Sequence, residues 1–279
     1  MLKIVSAYNG VADYIQAARK NPETEWSRLW MQFVIDAYWD QWAAGEHNEA
    51  RTRQELSHPI RNLDGLEREV NALAESGVEE VVRTAYECIC RLLPYHEGDT
   101  AICIMAASLQ DQEIVGTCIG ANTLLTVNQA RQDWQQWVKY VLAHERHHSA
   151  WGYHYYYICH GSRQDLLISL ISEGAADSFA HLVCPDLRPG WIDALTAEEE
   201  AKQWKAIQPL LNTAERSDEL HRRFFFGDQE KEVPPFTGYT IGYHIVQKYL
   251  NLHPGESVAD WTLKDPQVIF LESGYSGRL

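Results

Sequence analysis

The segment that most restricts how this chain can fold is the pentapeptide His-Glu-Arg-His-His at residues 144–148. His144 and His148 are four positions apart, so on an α-helix their side chains lie one above the other on one face. Two imidazoles placed in this way can bind one Zn²⁺ ion, and Glu145 faces the same cleft, where it can take a proton from water. The preceding turns are apolar, so the segment predicts a helix that is largely buried and ends at Gly152.

Zinc needs a third protein ligand, and two residues compete for that position. His154 has the offset from His148 that metzincins use, but their pattern needs Gly where Trp151 stands and a methionine after the motif, and all three methionines precede it. Glu173 and Asp177 lie instead on an otherwise apolar helical stripe, where carboxylates are costly unless they are paired or bind a metal. We therefore predict Glu173 as the third ligand. Asp177, one turn later, would accept a hydrogen bond from the second ring nitrogen of a ligand histidine.

Composition and charge exclude several other classes of protein. The 279 residues are 45% hydrophobic and include 39 acidic and 24 basic side chains, a formal net charge of −15. Such an acidic surface repels phosphate backbones and anionic lipid, so we expect neither nucleic acid nor a membrane as a partner. The N-terminal residues do not read as a signal peptide, no apolar run is long enough to span a membrane, and six dispersed cysteines do not suit a disulfide scaffold. We therefore expect a cytoplasmic globular protein.

Hydrophobic periodicity predicts a mainly helical chain with one short region of strands. The first helix begins at Asn21-Pro22 and runs to about Trp42, and a helical segment over residues 63–93 is divided at Gly77. Further helices cover residues 164–183 and the residues after Gly238, and residues 196–235 combine helix with loop. The β-prone runs are Thr100–Met105, Glu113–Cys118 and Leu124–Val127. We divide the chain into an N-terminal helical lobe, residues 1–98, packed on a domain of residues 99–279.

The last predicted helix carries three candidates for stabilising the negative charge that develops on a carbonyl oxygen under attack. Tyr239 and Tyr243 lie four positions apart, His244 follows, and Gly238 and Gly242 permit a close approach to the zinc helices. A phenol or an imidazole there could donate a hydrogen bond to the oxyanion. We rank Tyr243 first, Tyr239 second and His244 third, with simple packing as the alternative. Other histidines are expected to point away from the metal or to be surface or core residues: His147, His160 and His221.

Three blocks of sequence resemble known metallopeptidases: VLAHERHHSAW at 141–151, LISEGAADSFA at 170–180 and FFFGDQEKEVPPFTGYTIGYHIVQKYL at 224–250. The first two resemble the gluzincin pattern, in which H-E-x-x-H is followed by E-x-x-x-D on the next helix. Over about residues 80–275 the chain resembles the bacterial family of predicted Zn-dependent proteases known as domain of unknown function 2268. The resemblance implies that His144, His148 and Glu173 bind the metal and that Glu145 is the base.

The expected fold is α+β and mainly helical, a zincin-like metallopeptidase domain with a small β-sheet and the N-terminal helical lobe. The expected function is zinc-dependent hydrolysis of a peptide or protein substrate by water, with Glu145 as general base. An edge strand around residues 116–122 would pair with an extended substrate. One alternative is a non-catalytic, zinc-stabilised interaction domain that binds through residues 196–232 or the Trp-rich first helix. Another is a zinc hydrolase of a non-peptide amide, and a different divalent metal also stays open.

Overall fold

The chain folds into helices around one four-stranded sheet, which confirms the expected α+β, mainly helical class. The computed structural model describes residues 1–44, 49–94, 98–106, 114–213 and 217–277. These residues form two compact units, the first of Met1–Arg91 with Tyr95–Ser149 and the second of Leu92–Pro94 with Ala150–Leu279.

The first unit contains the sheet, whose strands are β1 (Leu2–Val5), β2 (Thr100–Ala106), β3 (Val115–Ile119) and β4 (Asn122–Val127). Their order is β1-β2-β4-β3; the first three in that order are mutually parallel, and β3 is antiparallel to β4. Every residue of β2 is buried, as expected for an apolar run at the centre of a sheet. Within the described residues β3 pairs only with β4, so it is an edge strand.

The predicted strands are present, but one further strand was not foreseen. β2 and β4 extend the predicted runs by one and two residues, and β3 begins at Val115, whereas the predicted start at Glu113 lies outside the described residues. β1 has too few residues to show an alternating pattern of polar and apolar side chains. It is stabilised by pairing with β2, which lies almost a hundred residues farther along the chain. β1 lies before residue 98 and β2 lies after it, yet both belong to the first unit, so the boundary between the two units is not at residue 98. The proposed functional separation of residues 1–98 from residues 99–279 stays a prediction.

The helices that accompany the sheet are α1 (Tyr8–Ala18), α2 (Trp26–Trp30), α3 (Trp39–Trp42), α4 (Glu49–Glu55), α5 (Leu63–Glu75), α6 (Val78–Leu92) and α7 (Trp134–Gly152). The predicted break at Gly77 is confirmed, and the residue has the left-handed φ of +71° that glycine tolerates. The predicted continuous helix up to Trp42 is wrong, because a π-helical turn at Met31–Ile35 separates α2 from α3. Most of its apolar side chains are nevertheless core residues, Trp30 and Val34 among them.

The second unit consists of helices that follow a continuation of α7. The α-helix ends at Gly152 as predicted, but Gly152 keeps a helical φ of −61° and the chain continues directly into a π-helix at Tyr153–Ile158. The other helices are α8 (Leu166–Val183), α9 (Ala197–Ile207), α10 (Ser217–Phe226), α11 (Thr237–Leu252), α12 (Val258–Thr262) and α13 (Pro266–Ser273). The last two were not predicted, because they are too short to show a clear helical periodicity. The side chains of Ser257 and Asp265 cap their first turns.

Helix α8 is the most apolar helix of the second unit. Among the described residues it is the one helix long and apolar enough to cross a membrane, by length and composition alone, and 72% of the stretch is buried within the fold. Asp165 caps its start, with Oδ1 accepting a hydrogen bond from the backbone N–H of Ile168 at 3.2 Å. A core helix of a soluble protein has the same length and apolar composition.

Helices α8 and α11 approach so closely that glycine is required at their crossing. A Cβ atom on Gly174 would lie 2.1 Å from the carbonyl oxygen of Gly242, and one on Gly242 would lie 2.2 Å from the carbonyl oxygen of Leu170. Gly242 was predicted to let α11 approach the helices of the candidate ligands, and its missing side chain makes room for the backbone of α8, which carries Glu173.

Replacing Gly174 with Ala is expected to lower the free energy of unfolding by about 1–3 kcal/mol, because the new methyl group meets backbone atoms that cannot turn aside. Urea unfolding followed by circular dichroism measures the change. Gly255→Ala is the matched control, because nothing lies within 4 Å of a Cβ atom there, and a change within about 0.5 kcal/mol is expected. Equal unfolding midpoints for the two variants would contradict the close packing of α8 on α11.

Candidate metal centre

Helix α7 aims two imidazole rings at one point. The Nε2 atoms of His144 and His148 are 2.9 Å apart, and the ring centroids are 4.6 Å apart with planes inclined at 76°. From Tyr140 to Trp151 these two histidines are the only side chains that are not buried. The i, i+4 spacing thus places both rings on the accessible face of this otherwise buried part of α7.

Glu173 completes a group of three possible metal ligands. One ligand atom each from His144, His148 and Glu173 lies within 4.8 Å of the other two. Along α8 from Leu166 to Ala180, Glu173 is one of two side chains that are partly exposed. The structure therefore brings together the three side chains that the sequence suggested as ligands.

The chemistry of this group suits zinc. Two imidazole nitrogens and one carboxylate oxygen are the ligands of many catalytic zinc sites, which keep a fourth position open. Two Zn–N bonds at a tetrahedral angle separate the nitrogen atoms by about 3.3 Å. The Nε2 atoms of the two histidines are 2.9 Å apart, so they would have to move only slightly farther from each other to bind the ion. The three side chains thus fit a zinc ion by donor type and by spacing.

Glu145 is buried beneath the edge strand. Its side chain is 8% exposed, and a Cβ atom on Gly116 of β3 would lie 2.5 Å from its Cγ and 2.9 Å from its Oε1. Gly116 lies inside β3, within the run that was predicted to be a strand. The absence of a side chain at Gly116 gives the Glu145 carboxylate its space, a role that only the packing reveals.

Asp177 is fully buried, and its carboxylate has a partner that the sequence did not indicate. The indole N–H of Trp191 donates to both carboxylate oxygens, at 3.2 and 3.1 Å. Trp191 is fixed in turn through its carbonyl oxygen, which accepts a hydrogen bond from the hydroxyl of Thr240 on α11 at 2.7 Å. Trp191 thus orients Asp177. The predicted hydrogen bond from a ligand histidine to Asp177 stays a prediction.

The three candidate oxyanion donors of α11 have different surroundings. Tyr243 is buried; burial raises the pKa of its phenol, against the opposing charge of Arg188. Tyr239 is half-buried and meets the ring of Phe225 edge-on at 4.9 Å. His244 is held through Nδ1, 3.0 Å from both oxygens of the buried Glu200. The ring of His244 is therefore oriented by a carboxylate.

The hydroxyl of Tyr275 also donates a hydrogen bond to the Glu200 carboxylate that holds His244. Neither Glu200 nor Tyr275 was singled out from the sequence. Glu200 lies 44 positions from His244 and 75 positions from Tyr275, so no local pattern connects these residues. The Glu200 carboxylate thus links α9 to α11 and to the residues after α13.

His221 on α10, which was expected to be a surface or core residue, lies close enough to the candidate ligand Glu173 to be affected by its charge. Its ring stacks on Phe225 at 4.3 Å with planes 14° apart. Burial lowers the pKa of His221, while the negative charge of Glu173 acts in the opposite direction. Helix α10 packs on α8, which is why a residue 48 positions along the chain can sense the Glu173 charge. No local spacing could have signalled this proximity.

The remaining histidines near the motif are placed outside the group of three ligands. His147 is fully buried, and its expected direction away from the metal stays a prediction. His160 is exposed at a residue with a left-handed φ of +53°. The Nε2 atom of His154 lies 3.2 Å from Sγ of Cys159.

Comparison with known proteins gives one family and one relative. A family described as "Predicted Zn-dependent protease (DUF2268)" matches residues 82–270. The uncharacterized protein YjfC of Bacillus subtilis (strain 168) is 29% identical over 143 residues, which cover 48% of this chain and 46% of the relative. The chain thus spans less than half the length of that relative. No solved structure matches.

Proposed function

Because the chain belongs to the DUF2268 family of predicted Zn-dependent proteases, we propose that it is a zinc-dependent peptidase whose metal is held by His144, His148 and Glu173. The observation that carries the proposal is the convergence of these three side chains, whose ligand atoms lie within 4.8 Å of one another. All three are partly exposed, as a catalytic site that must admit substrate requires.

Glu145 is proposed as the general base. Bound zinc supplies a Lewis acid that lowers the pKa of water and polarises a carbonyl group. Glu145 follows His144 directly on α7, and its buried carboxylate takes the proton from the attacking water and later delivers it to the leaving amine. Gly116 supports this role, because any side chain there would displace the carboxylate.

Strand β3 is proposed to bind the substrate backbone. Its described pairing is with β4 alone, so its other edge offers backbone N–H and C=O groups to an extended peptide. The residue of β3 that lies against Glu145 is Gly116. A peptide added to this edge would therefore run close to the proposed base.

Asp177 and the donors on α11 complete the proposed machinery. Asp177, oriented by Trp191, would accept a hydrogen bond from a ligand histidine and fix its tautomer. Tyr243 remains our first choice for donating a hydrogen bond to the oxyanion, because burial favours its neutral, donating form. Tyr239 is second, and His244 is third because its Nδ1 is already engaged with Glu200.

We also propose that the protein acts in the cytoplasm on peptide or protein substrates. The six cysteines, all of which lie within the described residues, are thiols rather than disulfides, which suits a reducing compartment. The net charge of −15 argues against nucleic acid and anionic membranes as partners.

A cleavage assay on mixed substrates tests the proposed function. The purified zinc-loaded chain would be incubated with a denatured protein, a peptide library and a panel of small non-peptide amides, and new amino termini and released amines would be measured. We expect cleavage of peptide bonds that a chelator abolishes and added zinc restores. Turnover of the small amides alone would favour the alternative hydrolase. No turnover of any substrate by zinc-loaded protein would favour the non-catalytic interaction domain.

A further inference from the structure

The π-helix after α7 brings together a thiol and an imidazole that α-helical spacing would keep apart. His154 and Cys159 are five positions apart, and on an α-helix such residues point to different sides. Here the backbone N–H of Cys159 donates to the carbonyl oxygen of His154 at 2.9 Å, the i→i+5 bond that defines a π-turn. This wider turn places the Sγ atom of Cys159 3.2 Å from Nε2 of His154.

The turn that holds this pair is anchored in the core. Tyr155 stacks on Trp151 at 5.0 Å with planes 9° apart, and the backbone N–H of Gly161 donates to the carbonyl oxygen of Tyr155 at 2.8 Å. A Cβ atom on Gly161 would lie 2.6 Å from the ring of Tyr155. Tight packing on both sides of the pair holds its geometry in place, while Cys159 itself is exposed.

We propose that Cys159 and His154 form a nucleophile–base pair and that the Cys159 thiol is a modification site for low-molecular-weight disulfides. A sulfur nucleophile within hydrogen-bond reach of an imidazole is the arrangement that activates a thiol for attack. Nothing in the proposed peptidase mechanism uses either residue, so the site is independent of zinc.

The reaction is a thiol–disulfide exchange. As Sγ of Cys159 attacks one sulfur of the disulfide, its proton passes to Nε2 of His154, which requires the tautomer protonated on Nδ1. The new S–S bond forms at Cys159, the old S–S bond breaks, and the displaced thiolate takes the proton from His154. The products are a mixed disulfide on Cys159 and one free thiol.

The other cysteines provide an internal comparison. Cys103 is fully buried in β2, and burial raises the pKa of its thiol to about 12. Cys184 is buried as well, and Cys88, Cys90 and Cys118 are intermediate in exposure. Cys159 is the exposed one of the six, so accessibility and the neighbouring imidazole favour the same thiol.

The test is to expose the full-length chain to bis(2-hydroxyethyl) disulfide at neutral pH and to follow each cysteine by peptide mapping with mass spectrometry. We expect Cys159 to be modified first. His154→Gln should slow its modification at least about tenfold, because the base is lost. His160→Gln, which changes a neighbouring exposed histidine, should leave the rate unchanged, and Cys159→Ser should leave only slow modification of other thiols.

Two results would overturn the proposal: modification of another cysteine before Cys159 in the wild-type chain, or equal rates at Cys159 in the wild type and in His154→Gln. The first needs no variant, so it decides the matter even where His154→Gln fails to fold. Neither readout involves peptide cleavage, so a failure here is distinct from a failure of the proposed peptidase.

Discussion

Glu145→Gln is expected to lower peptide hydrolysis by about 10²–10⁴-fold while zinc binding stays at the wild-type level. Glutamine has the shape of glutamate, so it fits the space beneath Gly116 without disturbing β3. Its amide cannot take a proton from water at neutral pH, so the chemical step loses its base. The measurements are kcat/KM on a peptide cleaved by the wild type and zinc content by elemental analysis.

Glu69→Gln is the matched control for this variant, since Glu69 is also a buried carboxylate of the first unit, on α5. Burial raises the pKa of Glu69, so making it neutral should be well tolerated, and activity should be retained. Full activity in Glu145→Gln with normal zinc content would show that another group is the base.

His144→Ala and Glu173→Ala are each expected to weaken zinc binding by more than about 100-fold, since even residues that only orient metal ligands contribute 10–100-fold. The wild type should retain close to one zinc per chain after dialysis, and both variants should retain little. Zinc should also stabilise the wild type by about 2.7 kcal/mol when free zinc is 100 times the Kd, and should stabilise the variants far less. Elemental analysis and thermal unfolding with and without zinc provide these two readouts.

The controls for the ligand variants are His58→Ala and Glu198→Ala, which replace the same residue types at exposed positions outside the group of three ligands. Both should bind zinc as the wild type does. If Glu173→Ala kept its zinc while His144→Ala lost it, the third ligand would be a different residue. If both ligand variants kept it, the proposed metal centre would be wrong.

Local regularities in the sequence predicted the parts of this protein that depend on helical spacing. The interval between His144 and His148 places two rings on one face of any helix, and the carboxylate of Glu173 in an apolar stripe indicated a special environment before any fold was known. The strands β2 and β4 and the break at Gly77 follow from equally local patterns. In each case the cause lies within a few neighbouring residues.

Contacts between distant residues decided the rest. The pairing of β1 with β2, the place of Gly116 against Glu145 and the indole of Trp191 on Asp177 join residues that no periodicity connects. Gly242 could be recognised from the sequence as a site of close approach, but the backbone atoms of α8 that it meets depended on packing.

The π-turn after α7 changed which side chains face one another. The offset of His154 from His148 made it a candidate metal ligand, whereas the fold places it beside Cys159. A change of one residue in the hydrogen-bonding step rotates every later side chain around the helix axis. The sequence by itself determined which side chains share a face wherever the α-helical repeat holds. Tertiary structure determined where that repeat is broken and which distant groups meet, because packing and long-range hydrogen bonds outweigh local preference.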